Sequence, residues 1–369
     1  MPRVTRRQLL GTTLAGVAGA LAAFGFRRRR SGSAIDIPSN GGLLFDRVRV
    51  FDGGHWLDGE RSVVVLNGKV ATIDRAPVDR PGAQKYAGGA IFPGFVDAHV
   101  HLSFSTPQAV FAGGVTSVLD LGEPLAYAFA DHTPLQFRAA GPLITAPGGY
   151  PTRSWGANGY GLEISSEAEA REAVAMLADR GAAMIKIAIE PGQGPVLDAE
   201  TMSAVVHAAR ARRLKVAAHA LGVASVRAAL AAGVDVLAHT PVERLPGSVV
   251  TDAARRGVAV ISTVRAFGDN ASTRANLAAL AAAGCSVAYG TDLGNDGIRP
   301  GIDTAEIEIL AEALGSVDAA LAAATSVAGA LAGSGGRLTV GGPGYLVWCP
   351  RFSGPADLRK DIRTVDGRP

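Results

Sequence analysis

Eight short apolar runs, spaced at helix-sized intervals, constrain this 369-residue chain more than any other feature. They read as strands over residues 91–97, 116–121, 143–146, 184–189, 215–219, 234–239, 258–263 and 286–291. Between them lie Ala-rich segments with helical periodicity, including 166–180, 198–211, 223–232 and 272–283. Parallel strands need a crossover long enough to hold a helix, so this alternation is the sequence form of a parallel α/β fold. Eight such units predict a (β/α)8 TIM-like barrel over residues 91–335.

The flanks have another texture. "LLFDRVRVFDGG" and "RSVVVLNGKVATID" alternate apolar and polar residues between Gly and Pro, as do "GRLTVGGPGYLVWCP" and "DIRTVDGRP" near the C-terminus. Segments 43–90 and 336–369 together therefore predict a small β-sandwich domain.

Residues 1–30 do not read as part of the fold. Thr5-Arg6-Arg7-Gln8-Leu9-Leu10 resembles a twin-arginine export signal, and an apolar stretch follows it. Export to the periplasm or cell exterior is expected, with the segment either cleaved near Ala20-Leu21-Ala22 or kept as a membrane anchor. Residues 31–42 read as a linker. This leader also distorts the charge balance. It holds seven arginines and no acid, so the formal +3 of the whole chain becomes 3 − 7 = −4 for the rest. A mildly acidic body argues against nucleic-acid binding. Cys285 and Cys349 sit in apolar, strand-like contexts, and two buried thiols are expected.

In barrels of this kind the chemistry lies at the C-terminal ends of the strands. The polar residues at those ends are His99 and His101 (first strand), Lys186 (fourth), His219 (fifth), His239 (sixth) and Asp292 (eighth). His99 and His101 are two apart, so a strand projects them to the same side. A single histidine in such a place is most simply a hydrogen-bonded core residue. Four at one end of one barrel are harder to attribute to packing, because buried ionisable groups need partners. Lys186 is flanked by apolar residues in "AAMIKIAIE". It is either salt-bridged to Asp97 or Asp292, or a neutral amine able to take up carbon dioxide as a carbamate.

"GFVDAHVH", "IKI", "AAHALG", "DVLAHT" and "AYGTDLG" together resemble the strand ends of the amidohydrolase superfamily, and "ALAAATSVAGAL" resembles the helix after its last strand. The resemblance is greatest to metal-dependent hydrolases with a carboxylated lysine, such as imidazolonepropionase-related enzymes and Xaa-Pro or Xaa-Arg dipeptidases. It implies two divalent metal ions. One is held by His99, His101 and Asp292, the other by His219 and His239, with carboxylated Lys186 bridging them. Imidazole and carboxylate ligands suit Zn, with Mn, Co, Ni or Fe as alternatives. The resemblance further implies a bridging hydroxide as nucleophile, Asp292 as proton shuttle, and hydrolysis of an amide, peptide, cyclic amide or related C–N bond. Ester, lactone or phosphoester hydrolysis on the same site, or a non-catalytic scaffold, are the alternatives.

Asp97 is expected to orient a ligand histidine or pair with a cation. Specificity should come from loops after the strands. There Tyr150 is a candidate donor to a substrate carbonyl, or an aromatic packed over the mouth, and Arg153 a candidate for a substrate carboxylate. Relatives often carry a histidine where this chain has Tyr150. His55, His132 and His207 are not expected to be ligands. The expected partners are a small-molecule substrate and further copies of the chain as a homo-oligomer, with membrane contact only through the first 30 residues.

Overall fold

The computed structural model describes residues 33–38 and 41–368. The export or anchor segment lies outside the described residues. Among them no helix is long and apolar enough to cross a membrane.

Two parallel sheets carry the centre of the molecule. The first orders its strands Phe95–Val100, Val115–Asp120 and Gln136–Ala139. The second runs Gly161–Glu163, Leu143–Thr145, Ile185–Ala188, Val216–His219, Val236–Leu237, Ala259–Ile261 and Val287–Ala288. Backbone bonds link them at two places. Ala183 N–H donates to Ala139 O (2.8 Å) on one side. On the other, Ala98 N–H donates to Tyr289 O (3.1 Å) and Asp292 N–H to His99 O (2.7 Å). Val96, Ala98, Leu119, Ala217, Val236, Ala238, Ile261 and Ala288, drawn from both sheets, pack in one buried cluster. This is a mixed α/β fold with parallel-strand sheets.

The helices form where the sequence marks their ends. Glu167–Asp179 is opened by Ser166, whose side chain accepts Glu169 N–H, and Ala199–Ala211 by Asp198, which accepts Thr201 N–H. Val223–Ala232 stops at Gly233, whose φ of 84° is a left-handed cap. Each buries its apolar face against the strands, as Ala170, Val174 and Leu177 show for the first of them.

Three details differ from the sequence reading. The apolar run 91–97 is two strands, not one. Ala90–Pro93 belongs to the flanking sheet and Phe95–Val100 to the parallel one. The chain changes sheets at Gly94, where a Cβ would meet the Thr116 side chain at 1.9 Å, so only glycine fits this crossing. Ser33–Ile35, within the stretch read as linker, is a strand paired in parallel with Arg363–Val365, and Ile35 is buried. Strands Gln136–Ala139 and Gly161–Glu163 were not anticipated, being too short to show a period.

The flanking segments do combine. Residues from both ends form an eight-stranded mixed sheet in the order Ser33–Ile35, Arg363–Val365, Leu346–Cys349, Ala90–Pro93, Leu43–Val50, Arg61–Leu66 and Lys69–Asp74, with Gln84–Ala87 also paired to Leu43–Val50. Its core joins Phe45, Val48 and Val63 to Leu338, Leu346 and Val365. Cys285 and Cys349 are buried free thiols.

Candidate metal centre

The strand ends bring the six sequence-selected residues into one buried group. His99, His101, Lys186, His219, His239 and Asp292 are each at most 3% exposed. Asp292 joins the cluster. Its Oδ1 lies 3.1 Å from His101 Nε2 and 3.6 Å from His99 Nε2, and its Oδ2 lies 4.0 Å from His239 Nδ1. His219 Nδ1 faces His239 Nε2 at 3.0 Å. Strand register sets these levels, since Lys186 pairs with Ala217 and Ala188 with His219. Asp292 takes φ 51°, a left-handed conformation uncommon for aspartate and of the kind found at functional sites.

Each histidine has one ring nitrogen anchored to a protein oxygen and the other turned into the cluster. His99 Nδ1 lies 2.8 Å from Ala238 O, and His101 Nδ1 lies 2.8 Å from Gly122 O. A carbonyl only accepts, so both Nδ1 atoms carry a proton, and in the neutral ring each Nε2 presents a lone pair toward Asp292. His99 Nε2 has no hydrogen-bond partner although it is fully buried. His239 Nδ1 is held by Thr263 Oγ1 at 3.1 Å, and His219 Nε2 by Glu190 Oε2 at 3.4 Å. Thr263 itself adopts φ 42°.

Burial favours the neutral form of three of these rings. Burial pushes the pKa of His99 and His239 well below the ordinary value, and that of His219 below it. The nearby charge of Lys186 adds to the effect on all three. Neutral imidazoles with inward lone pairs beside a carboxylate are a donor set that suits a divalent transition metal. His99, His239 and Asp292 each offer a ligand atom within 4.8 Å of the others. The residues present therefore fit a metal.

Asp97 is bonded to main chain and to Thr291. It accepts His99 N–H at 3.1 Å and Thr291 N–H at 3.0 Å, and the Thr291 hydroxyl as well. It thus ties the first strand to the turn that presents Asp292. Burial raises its pKa to about 7.

Tyr150 is buried and stacks on His219, with centroids 4.7 Å apart, and its hydroxyl accepts the Trp155 indole N–H at 2.8 Å. It packs over the His219 ring. Trp155 in turn sets its edge against His101, and Phe267 sits 4.5 Å from His239. Arg153 is exposed, its guanidinium lying over Gly148. Elsewhere in the loops after the strands, Arg265 pairs with Asp303, and Asn295 donates to Asp292 O at 2.9 Å. His55 is exposed beside Asp52, and His132 is bonded to Tyr127 O.

The sequence reading missed four residues. Thr263 and Glu190 anchor rings, as described. Asp120 and Glu123 form a buried acid pair beside His101. Asp120 accepts Leu102 N–H (2.7 Å) and Gly122 N–H (2.9 Å), and Glu123 accepts Ser103 N–H (2.9 Å). Burial, then the neighbouring Glu123, pushes Asp120 well above the carboxylate range. His101, Asp120 and Glu123 could also group around an ion. Both Asp120 oxygens are already used by backbone, however, which makes the pair a clamp on the segment after His101. Asp120 closes an apolar strand as the histidines do, and that was the available signal.

Known proteins share this architecture. A prolidase complexed with N-methylphosphonate-L-proline superposes with TM-score 0.73 at 22% identity, covering 89% of this chain and 98% of that one. A Xaa-Pro dipeptidase with bound methionine gives 0.71 at 18% identity, covering 88% and 98%. The ochratoxinase of A. niger gives 0.70 at 18% identity, covering 88% and 95%. In sequence, a dihydroorotase from Pelobacter propionicus is 28% identical over 194 residues, which are 48% of this chain and 42% of that relative. The chain thus spans less than half the length of the curated relative it matches. Residues 90–354, most of the chain, match the amidohydrolase family, and the protein belongs to that family.

Proposed function

We propose that the protein hydrolyses a C–N bond in a small amide, peptide or cyclic amide, with two divalent cations held by its buried cluster. The observation that carries this reading is the set of inward lone pairs. Two imidazole Nε2 atoms face one carboxylate oxygen, and two further imidazoles face each other at 3.0 Å. Imidazole lone pairs facing a carboxylate oxygen repel it unless a cation lies among them. His99, His101 and Asp292 would hold one cation and His219 and His239 the other, with Lys186, carboxylated, joining them. Zinc is the first choice for this donor set. Bound there, the cations would act as Lewis acids and bring the pKa of water to about 7. We also propose that the two parallel sheets close as a (β/α)8 barrel, and that the composite sheet folds over as a small sandwich. Residues 1–30 would serve as an export leader or anchor.

The chain's own residues do the rest. Asp292 is the one carboxylate among the inward lone pairs, and it would take a proton from attacking water and return it to the leaving nitrogen. Tyr150, Trp155 and Phe267 shield the cluster and exclude bulk water, which strengthens the electrostatics within.

Elemental analysis of chelator-free protein tests the reading. About two equivalents of transition metal per chain, with hydrolysis of dipeptides or N-acyl amino acids, are expected. No metal after reconstitution with zinc and bicarbonate would overturn it. Asp292→Asn should lower turnover by about 10²- to 10⁴-fold while most of the metal is kept. Near-normal turnover would remove Asp292 from proton transfer.

A further inference from the structure

Four oxygens anchor the four cluster histidines, and they are not equivalent. Ala238 O and Gly122 O are main-chain carbonyls, and Thr263 Oγ1 is a neutral hydroxyl. Glu190 alone brings a charge, through Oε2 at 3.4 Å from His219 Nε2. It stands just past the strand Ile185–Ala188 that carries Lys186, at the head of the short 3-10 turn Pro191–Gln193. That turn holds the carboxylate in place. The Gly192 N–H bonds it, and a Cβ on Gly192 would come within 3.2 Å of Oε1. Glu190-Pro191-Gly192 is thus a built unit that presents a carboxylate to the far side of one imidazole. The ring it meets is fixed elsewhere too, stacked by Tyr150 on one face.

From this geometry we infer that Glu190 is a positioning residue for His219, fixing its Nε2–H tautomer and making Nδ1 a stronger donor toward the cation shared with His239. An ionised carboxylate accepts but cannot donate, so it selects the proton on Nε2 and leaves the Nδ1 lone pair pointing inward. Carboxylate partners of this kind raise ligand basicity, and their loss typically weakens metal binding by about 10- to 100-fold. The inference rests on the proposed metal-dependent function. It adds that the two cations are held unequally, and that this one carboxylate sets the affinity of the second.

The test is chelator competition on zinc-loaded full-length protein, followed by the visible spectrum after cobalt substitution. Wild-type protein is compared with Glu190→Ala and Glu190→Gln. In Glu190→Ala one of two equivalents should be released at about 10- to 100-fold lower chelator concentration, with the other unchanged. Glu190→Gln keeps an acceptor without the charge and should fall between. It also supplies the reading if the alanine variant does not fold. Wild-type retention of both equivalents in both variants, with an unchanged cobalt spectrum, would overturn the inference and leave the binuclear proposal standing. A wild-type protein that binds no metal would instead defeat that proposal. Unchanged metal retention, with a raised KM only for substrates bearing a free amine, would overturn it in favour of an ammonium subsite.

Discussion

The two halves of the cluster are built differently. His99 and His101 hang from a single strand and are oriented by main-chain carbonyls, Ala238 O and Gly122 O. His219 and His239 come from separate strands and are oriented by side chains, Glu190 and Thr263. Main-chain anchors are fixed once the sheet forms and no side-chain exchange deletes them. Side-chain anchors can be altered one residue at a time without disturbing the strands. The first half is therefore set by the fold, while the second is adjustable, and metal affinity there can change with little effect on stability.

Lys186→Ala should hit both halves and have the largest effect. Metal content should fall and turnover drop by about 10²-fold or more, the scale for removing a key electrostatic group. Short carboxylic acids should restore part of it if a carbamate normally joins the halves. Normal metal content in this variant would show the halves to be independent.

Gly122→Ala probes the main-chain side. A Cβ there would come within 2.8 Å of His101 Cε1 and 2.4 Å of Leu143 Cδ1, so the imidazole must shift. Loss of about 10- to 100-fold in affinity for one cation is expected by titration calorimetry. Unaltered affinity would mean the first half is as adaptable as the second. Thr263→Ala should weaken only the second cation, by about 10-fold. If both cations weakened equally, the division into halves would fail.

The smallest effect concerns the turn beyond Thr263. Glu306 accepts Val264 N–H and Arg265 N–H, each at 2.9 Å, and burial raises its pKa from 4.5 to about 7. Its folded pKa exceeds the unfolded one. Its contribution to stability is therefore complete below pH 4.5 and is lost as pH rises toward 7. Glu306→Gln should lack that slope, a difference of about 2–3 kcal/mol between pH 4.5 and 8 in denaturant titrations of metal-free protein. Parallel profiles for the two proteins would exclude Glu306 as its source.

The legible part of the site and the hidden part differ for a physical reason. A histidine or lysine ending an apolar run is expensive without a partner, and this cost made Lys186, His219 and His239 visible in the sequence. Glu190 follows its strand in a loop, where a carboxylate looks like any solvated residue. Thr263 ends the run 258–263 with a neutral hydroxyl, which costs far less to bury than a charge and so attracts no notice. Helices such as Glu167–Asp179 were readable from Ser166 and the periodicity behind it. The helices Gly247–Arg255 and Thr304–Leu314 were not singled out. The first of them begins after Pro246 with no side-chain cap, and so lacks the N-terminal signal. The change of sheet at Gly94 was not read, although Pro93-Gly94 is a turn signal, because Ile91, Phe92, Phe95 and Val96 on either side make one apolar run.

The pairing of Ser33–Ile35 with Arg363–Val365 places a limit on trimming. Removing residues up to 32 leaves that edge strand intact. Cutting through Ile35 would uncover the Arg363–Val365 backbone as an open edge, able to recruit a strand from another molecule. The boundary between a well-behaved shortened protein and an aggregating one should therefore fall within these three residues.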